Sequence, residues 1–526
     1  MRLLYLYVEG FGVFHYHPMF EFCWGRLIRP AATTGSRVAV AKKGSPIVYN
    51  WVSVIQTRKE ILVADCTKFR EAQKRREKNA HPKCRRRGVA PRIPKAVGPK
   101  TQYAILRQVI TLIPPGIIHE IDKDVRHRYK GFSVWSHIVA LIYQQLTRTA
   151  SLNGVCDAAK VHESEWGQLR DATVPHRNTL SNANRKRDPA LAEKLYWELL
   201  KYFSETFPDF SKVKYEGYLA RFKERHIHLL DSSTIQLVLN SIDWARHRRM
   251  KAAAKLHMNL DLGVKMPSVA IVESAAHHDS VRAGEATANL TDGDILVADR
   301  AYTDFSFLCE LALRGVFFVV RQKRNMKMRV VEKRTVVGTE ADKRDEVEVL
   351  KDEIVRPKRK STAAKYAADD GLVRRVTAKV VVQGKWKKMV FFTNNFDWSP
   401  RTVAELYKAR WAVEIFFKEF KQTCQVRDFI GYNECAVKWQ VWIGLVVHLL
   451  LRFVKFGSKW ELSFSRLAGV VRCAVWVRRE LFAVLAVMGR KRGTAGAGKT
   501  ADPSPRPLIS QGFLDFPQQN LGQQAA

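Results

Sequence analysis

The sequence predicts a mixed α/β sheet with helices packed on it, preceded by a helical region and interrupted by a strand-rich insertion. Three observations carry this. Apolar residues keep helical spacing from Tyr103 to Phe203; at His226 the period changes and three short strand-like runs follow; strand, helix and strand then succeed one another between Ile295 and Val320.

Composition sets the bounds. The chain has 526 residues, 46% hydrophobic and 10% aromatic, enough for several domains and at least one substantial core. It carries 89 Lys plus Arg against 51 Asp plus Glu, a formal net charge of +38. Such a field favours a polyanion, nucleic acid ahead of anionic membrane and acidic protein, because each neutralised phosphate releases counterions. Eight cysteines (Cys23, Cys66, Cys84, Cys156, Cys309, Cys424, Cys435 and Cys473) show no close metal-ligand spacing and are too sparse for a disulfide scaffold. The N-terminal MRLLYLYVEGFGVF lacks the layout of a secretory signal, so a reduced, cytoplasmic protein is expected. The most apolar stretch, Val441 to Leu451, is short and polar-flanked and reads as a buried helix, with no membrane partner.

Residues 1–100 form a basic extension with a Lys/Arg run from Lys74 to Arg87 and a Pro-rich hinge; it reads as a disordered arm or as a nonspecific DNA-binding one. Residues 101–222 are helical. Ile105, Val109, Leu112 and Ile113 keep helix spacing up to Pro114, as do Val134 to Leu146, and another helix runs near Pro189 to Phe203. Between them a polar segment holds Asn178, Ser181, Asn182, Asn184, Arg185 and Lys186, read as a basic, Asn-rich turn. Helices around it suit either a DNA groove or an ordinary solvated surface. Residues 223–320 make the first part of the sheet: HIHLLDSSTIQLV, KLHMNLDL, SVAIVES, ILVA and VFFVV as strands, with a helix from about Asp304 to Arg314 stopped by Gly315. Residues 321–386 form the β-rich insertion, and 387–455 return to the core pattern. There Ser399 caps a helix whose first position is Pro400. Residues 456–488 are helical, and 489–526 read as a mobile tail.

The helix after Pro400 carries the strongest local signal. At 100° per residue, Tyr407, Arg410, Glu414 and Lys421 fall in one stripe, with Val413, Phe416 and Phe420 on the other side. An acid flanked by two cations and a phenol can ligate a divalent metal and grip phosphate oxygens. The same stripe also reads as a solvated face with an Arg410–Glu414 pair. Asp231 and Asp299 each end a strongly apolar run, where side chains converge at a sheet edge. Three carboxylates from two strands and a helix form a two-metal phosphoryl-transfer pattern.

With these residues in place, the chain resembles the DDE cut-and-paste transposases of bacterial insertion sequences that bear a Tyr-Arg-Glu-Lys signature. Tyr407, Arg410, Glu414 and Lys421 match the signature with complete spacing, LLDSST matches at Asp231, and VADRAYTDF matches at Asp299. Where the family commonly has glycine after its Asp-Arg pair, this chain has Ala301. The resemblance covers roughly residues 100–460.

It implies a ribonuclease H-like core with a β-rich insertion and an N-terminal helical DNA-binding region. It further implies two Mg²⁺ ions, replaceable by Mn²⁺, on Asp231, Asp299 and Glu414, and phosphate positioning by Tyr407, Arg410, Lys421 and Arg300. Trp411, and Trp386 in the insertion, are candidates for stacking on exposed bases. The implied partners are double-stranded DNA with terminal inverted repeats, a target DNA and a second copy of the chain in a synaptic dimer. The alternatives are a metal-dependent nuclease without strand transfer and a catalytically silent DNA-binding relative. His257, His277 and His278 could approach the metals, but a buried or turn role is the commoner explanation for such histidines. GTAGAGKT, Gly493 to Thr500, satisfies a phosphate-loop pattern but lacks the strand and helix that such a loop needs.

Overall fold

Apolar residues alternate between two sides in three neighbouring strands, so the sheet lies between two cores. Ile227, Leu229, Ile295, Val297 and Val319 belong to the larger core, whereas Leu230, Leu296, Ala298, Phe318 and Val320 belong to the smaller. The structure, a computed structural model, describes residues 99–489 apart from 125–130, 238–245, 248–250, 277, 337–345, 383 and 427–428. The expectations for the basic extension before residue 99, for His277, for the phosphate-loop look-alike and for the tail lie outside those residues.

Among the described residues, ten strands form one sheet: β1 Ile227–Leu237, β2 Arg246–His247, β3 Lys251–Asp261, β4 Met266–Ser274, β5 Ile295–Ala298, β6 Phe317–Arg321, β7 Met328–Arg334, β8 Val347–Pro357, β9 Val373–Val382 and β10 Lys385–Thr393. Their order is β2-β3-β1-β5-β6-β10-β9-β8-β7, with β4 also paired to β3. β1 with β5 and β5 with β6 run parallel, and the other pairs are antiparallel. This mixed α/β core, flanked by N-terminal helices, is consistent with a ribonuclease H-like architecture. β7 to β9 extend the core sheet itself, because β10 pairs with β6 through Phe391 to Thr393 and with β9 along its whole length.

Helices α1 Ile105–Thr111, α2 Pro115–Lys123, α3 Val134–Thr147, α4 Leu152–Val161, α5 Glu163–Gly167, α6 Arg177–Lys186 and α7 Ala190–Thr206 precede the sheet. The segment expected as a turn is the helix α6. Its sequence RNTLSNANRK is poor in helix formers, so tertiary contacts hold it. Leu180 and Ala183 are buried, Asn184 bonds His137 at 2.8 Å, and Arg187, just beyond the helix, donates to the carbonyls of Phe132 and Ser133.

α8 Phe305–Leu313 lies between β5 and β6 and is capped by the Asp304 carboxylate. It ends at Gly315, whose φ of +73° suits glycine. After the sheet come α9 Pro400–Ala409, α10 Trp411–Thr423, α11 Glu434–Gly457, α12 Phe464–Cys473 and α13 Leu481–Met488. α11 is longer than its apolar stretch suggested, 24 residues, and is long and apolar enough to cross a bilayer by length and composition. Yet 89% of its most apolar window is buried inside the protein, as expected of a core helix.

Candidate active site

Strand register builds the site. Leu229, Val297 and Val319 are laterally paired across β1, β5 and β6 on the larger-core face. Two residues further along each strand, on the same face by alternation, come Asp231, Asp299 and Arg321. The parallel pairing of β1 with β5 stops at Leu230 opposite Ala298. Both aspartates therefore follow directly on the last paired residues. Asp299 directly follows β5 and opens a 3-10 turn, Arg300–Tyr302. Asp231 sits mid-strand, because β1 runs on to Leu237 against β3.

The third acid arrives on α10. The Ser399 hydroxyl accepts from Thr402 N–H at 3.2 Å and Pro400 takes the first turn, so the α9 start follows the sequence. The expected single helix is divided at Arg410, but Arg410 keeps right-handed helical angles and the stripe is preserved. Val413, Phe416, Phe417 and Phe420 are buried, with Phe416 against His448 at 4.7 Å between ring centres. This anchors α10 with Glu414 facing the strand ends.

Here the predicted residues meet. Tyr407 donates its hydroxyl to Asp299 at 2.9 Å, and the Phe391 ring lies 4.7 Å from the Tyr407 ring. Arg410 pairs with Asp231 at 3.0 Å and, through its other terminal nitrogen, with Glu414. Lys421, two helical turns beyond Glu414, donates to the Thr234 carbonyl at 2.9 Å, further along β1. Arg300 is exposed and forms no ion pair among the described residues.

A cleft of about 520 Å³ opens beside the acids, lined among others by Arg321, Lys387, Tyr407, Arg410, Trp411 and Glu414. Trp411 is 40% exposed at this cleft; Trp386, 48% exposed, lies on β10 next to the lining residue Lys387.

The electrostatics are those of crowded acids. Burial pushes the Asp231 carboxyl up to about 6, and the charges of Asp299 and Glu414 add to the rise, while Arg410 and the Ser232 N–H oppose it. Burial works against the Arg410 charge, but Tyr407, Asp231 and Glu414 outweigh it and hold the guanidinium protonated. Burial and the neighbouring Asp299 push the Tyr407 phenol well up, so it stays a donor. Among the described residues, no group of three or more His, Cys, Asp or Glu side chains stands ready to hold a metal ion. Arg410 lies between Asp231 and Glu414 instead.

Two features escaped the sequence reading. Arg321 reaches within 4.0 Å of Asp299, and its signal was present: it ends VFFVV as Asp299 ends ILVA. The opposite face of β1 holds a polar support. Ser232 donates its N–H to Asp231 at 2.8 Å and its hydroxyl to Asp279 at 2.7 Å, and Asp279 pairs with Lys255 at 3.1 Å. His257 is buried there against Glu273 at 3.0 Å, and His278 is exposed at a turn. Neither histidine contacts the three acids.

Residues 223–450 match the family model described as "Transposase DDE domain", and residues 101–165 match "Domain of unknown function (DUF4372)". The chain is 26% identical over 314 residues to "Putative transposase y4zB" of Sinorhizobium fredii, covering 59% of this chain and 80% of that one. It is 25% identical over 239 residues to "Probable transposase for insertion sequence element IS5377" of Geobacillus stearothermophilus, covering 45% and 59% respectively. A solved piggyBac transposase synaptic complex with hairpin DNA is 12% identical at a TM-score of 0.35, covering 76% of this chain and 83% of that one, too distant to inform the site.

Proposed function

Given that the chain belongs to the DDE transposase superfamily, we propose that it cuts DNA at the ends of a transposable element and transfers the freed strand into a target. The observation that carries this reading is the convergence of Asp231, Asp299 and Glu414, with Tyr407 and Arg410, where the pairing of β1 with β5 ends.

Three carboxylates, two of whose charges raise the proton affinity of the third, Asp231, form a set of hard oxygen donors, which fits Mg²⁺ or Mn²⁺. Bound on Asp231, Asp299 and Glu414, a pair of such ions would supply Lewis-acid polarisation of the scissile phosphate and water of lowered pKa. The chain's own residues do the rest. Tyr407, Arg410, Lys421 and Arg321 present donors to phosphate oxygens, with Arg300 a more exposed helper. Trp411 offers an aromatic plane to an unstacked base at the cleft, and Trp386 a second plane on β10. In strand transfer a 3′-OH exchanges one phosphodiester for another, so the step consumes no external energy.

The helical region before the sheet is read as the part that grips the element's ends. α6 exposes Arg177, Asn178, Ser181, Asn182, Arg185 and Lys186 and contains no acid, which suits a DNA groove. The assembly proposed is a synaptic dimer on the inverted repeats, in the cytoplasm of a bacterium.

The test is a cleavage and strand-transfer assay in Mg²⁺ on DNA carrying the gene's flanking repeats. Wild-type protein should give cut ends and joined or hairpinned product. Glu414→Ala should lose both by about a thousandfold or more while still binding DNA. Normal cleavage by the variant would sink the assignment. Nicks alone would favour a nuclease, and binding without cleavage by the wild type would favour a silent DNA-binding relative.

A further inference from the structure

Arg410 occupies an unusual position for a side chain expected to grip phosphate. Its two terminal nitrogens are committed to Asp231, on β1, and Glu414, on its own helix. Its side chain is only 14% exposed, and its Cζ lies 5.7 Å from the Tyr407 ring centre. Yet its Nε is buried and finds no acceptor among the described residues. A buried donor without a partner is costly, so this guanidinium is held between the acids while remaining one hydrogen bond short. The acceptor it lacks is of the kind a phosphodiester oxygen supplies.

We propose that Arg410 is a built-in counter-ion which competes with the divalent cation for Asp231 and Glu414, so that cation binding and phosphate capture are linked through this one side chain. The inference rests on the reading of the three acids given above. The guanidinium cannot lose its charge, so it vacates the acids only by moving. Without DNA, a cation entering the site must break both ion pairs and strand Arg410 in a poorly solvated position. When a phosphate lies in the cleft, Arg410 has another partner and that cost falls. By reciprocity, a bound cation frees Arg410 and tightens the grip on DNA by the same factor. The site would thus fill with metal chiefly when the substrate is present, which limits cation-driven chemistry on free water.

The test begins with calorimetric titration of the full chain with Mn²⁺ in the absence of DNA. Arg410→Gln should bind Mn²⁺ roughly tenfold or more tightly than wild type, Arg410→Lys should fall between, and Glu414→Gln should lose the binding. Mn²⁺ should also raise the Tm of Arg410→Gln more than that of wild type. Should Arg410→Gln not fold, Arg410→Lys decides the matter, and an affinity no tighter than wild type overturns the inference. Unchanged or weaker Mn²⁺ affinity in Arg410→Gln, with Glu414→Gln still defective, overturns the counter-ion role and leaves the acid site standing. Wild-type affinity in Glu414→Gln overturns the acid site itself. For the linkage, Ca²⁺ in place of chelator should strengthen wild-type binding to the flanking-repeat duplex, and that increment should vanish in Arg410→Gln. An increment retained in the variant overturns the linkage.

Discussion

Two arginines of this protein neutralise carboxylates in opposite ways. Arg374, on β9, is 1% exposed and forks onto both oxygens of Asp352, 4% exposed, at 2.9 and 2.8 Å. Its remaining terminal nitrogen donates to the carbonyls of Asn395 at 3.2 Å and Trp398 at 2.5 Å. Arg410 instead divides itself between acids on two elements and leaves Nε unmatched. Both pairs cost desolvation. The first recovers it through saturated hydrogen bonding and ties β8, β9 and the loop after β10 together. The second is under-satisfied beside an open cleft. A saturated pair serves the fold, and an unsaturated one beside a cleft is available for chemistry.

The comparison can be broken at several points. The largest effect should come from Arg374→Ala, which strands Asp352 and should cost about 3–5 kcal/mol in urea unfolding. A cost below about 1 kcal/mol would mean that saturation does not mark a structural pair. Arg321→Ala should do the reverse, lowering cleavage roughly tenfold to a hundredfold, about 1.4–2.8 kcal/mol, while unfolding stays within about 0.5 kcal/mol of wild type. Equal losses of stability and cleavage would make Arg321 a second structural arginine.

A smaller effect is expected from pH, with opposite signs for stability and for function. The Asp231 carboxyl is raised from 3.8 to about 6, so the folded protein binds more protons than the unfolded chain between those values. In chelator, this group should make the protein more stable as pH falls from 6 towards 4, whereas Mn²⁺ binding should weaken over the same window. Asp231→Asn should flatten the stability profile, and an unaltered profile would remove Asp231 as its source. The smallest effect belongs to the tryptophans. Trp411→Ala should weaken binding to frayed-end DNA by about 1 kcal/mol, with less change on a blunt duplex. Equal losses on both would argue against stacking.

Much of the site was legible because it obeys simple periods. Alternation along β1 and β5 puts both aspartates on one face, and a 3.6-residue period puts Tyr407, Arg410 and Glu414 on one stripe. Arg321 was passed over because a basic residue at the start of a Lys/Arg-rich segment looks like its neighbours until register shows it beside Asp299. α6 was hidden because its Asn, Ser and Thr residues favour turns, and only Leu180, Ala183, Asn184 and the contacts of Arg187 make it helical. α11 was underestimated because His448 and Arg452 break its apolar run, though His448 is buried and Arg452 pairs with Glu419. β8 lay unread in the charged middle of the insertion, where Asp352 and Glu353 are buried by pairing with Arg374 and Arg375.

β10 belongs to two neighbourhoods at once, bonded to the core strand β6 at one end and to β9 along its length. The insertion is therefore grafted into the same hydrogen-bonded fabric as the acids. Cutting it out and joining the ends with a short linker would strip β9 from β10 and bare that flank of β10, a ready template for another chain's strand. A shortened protein of that kind should aggregate before the proposed cleavage can be assayed. Loss of activity on such a deletion would then say little about what the insertion contributes to catalysis, and single substitutions on β9 and β10 are the fairer probe.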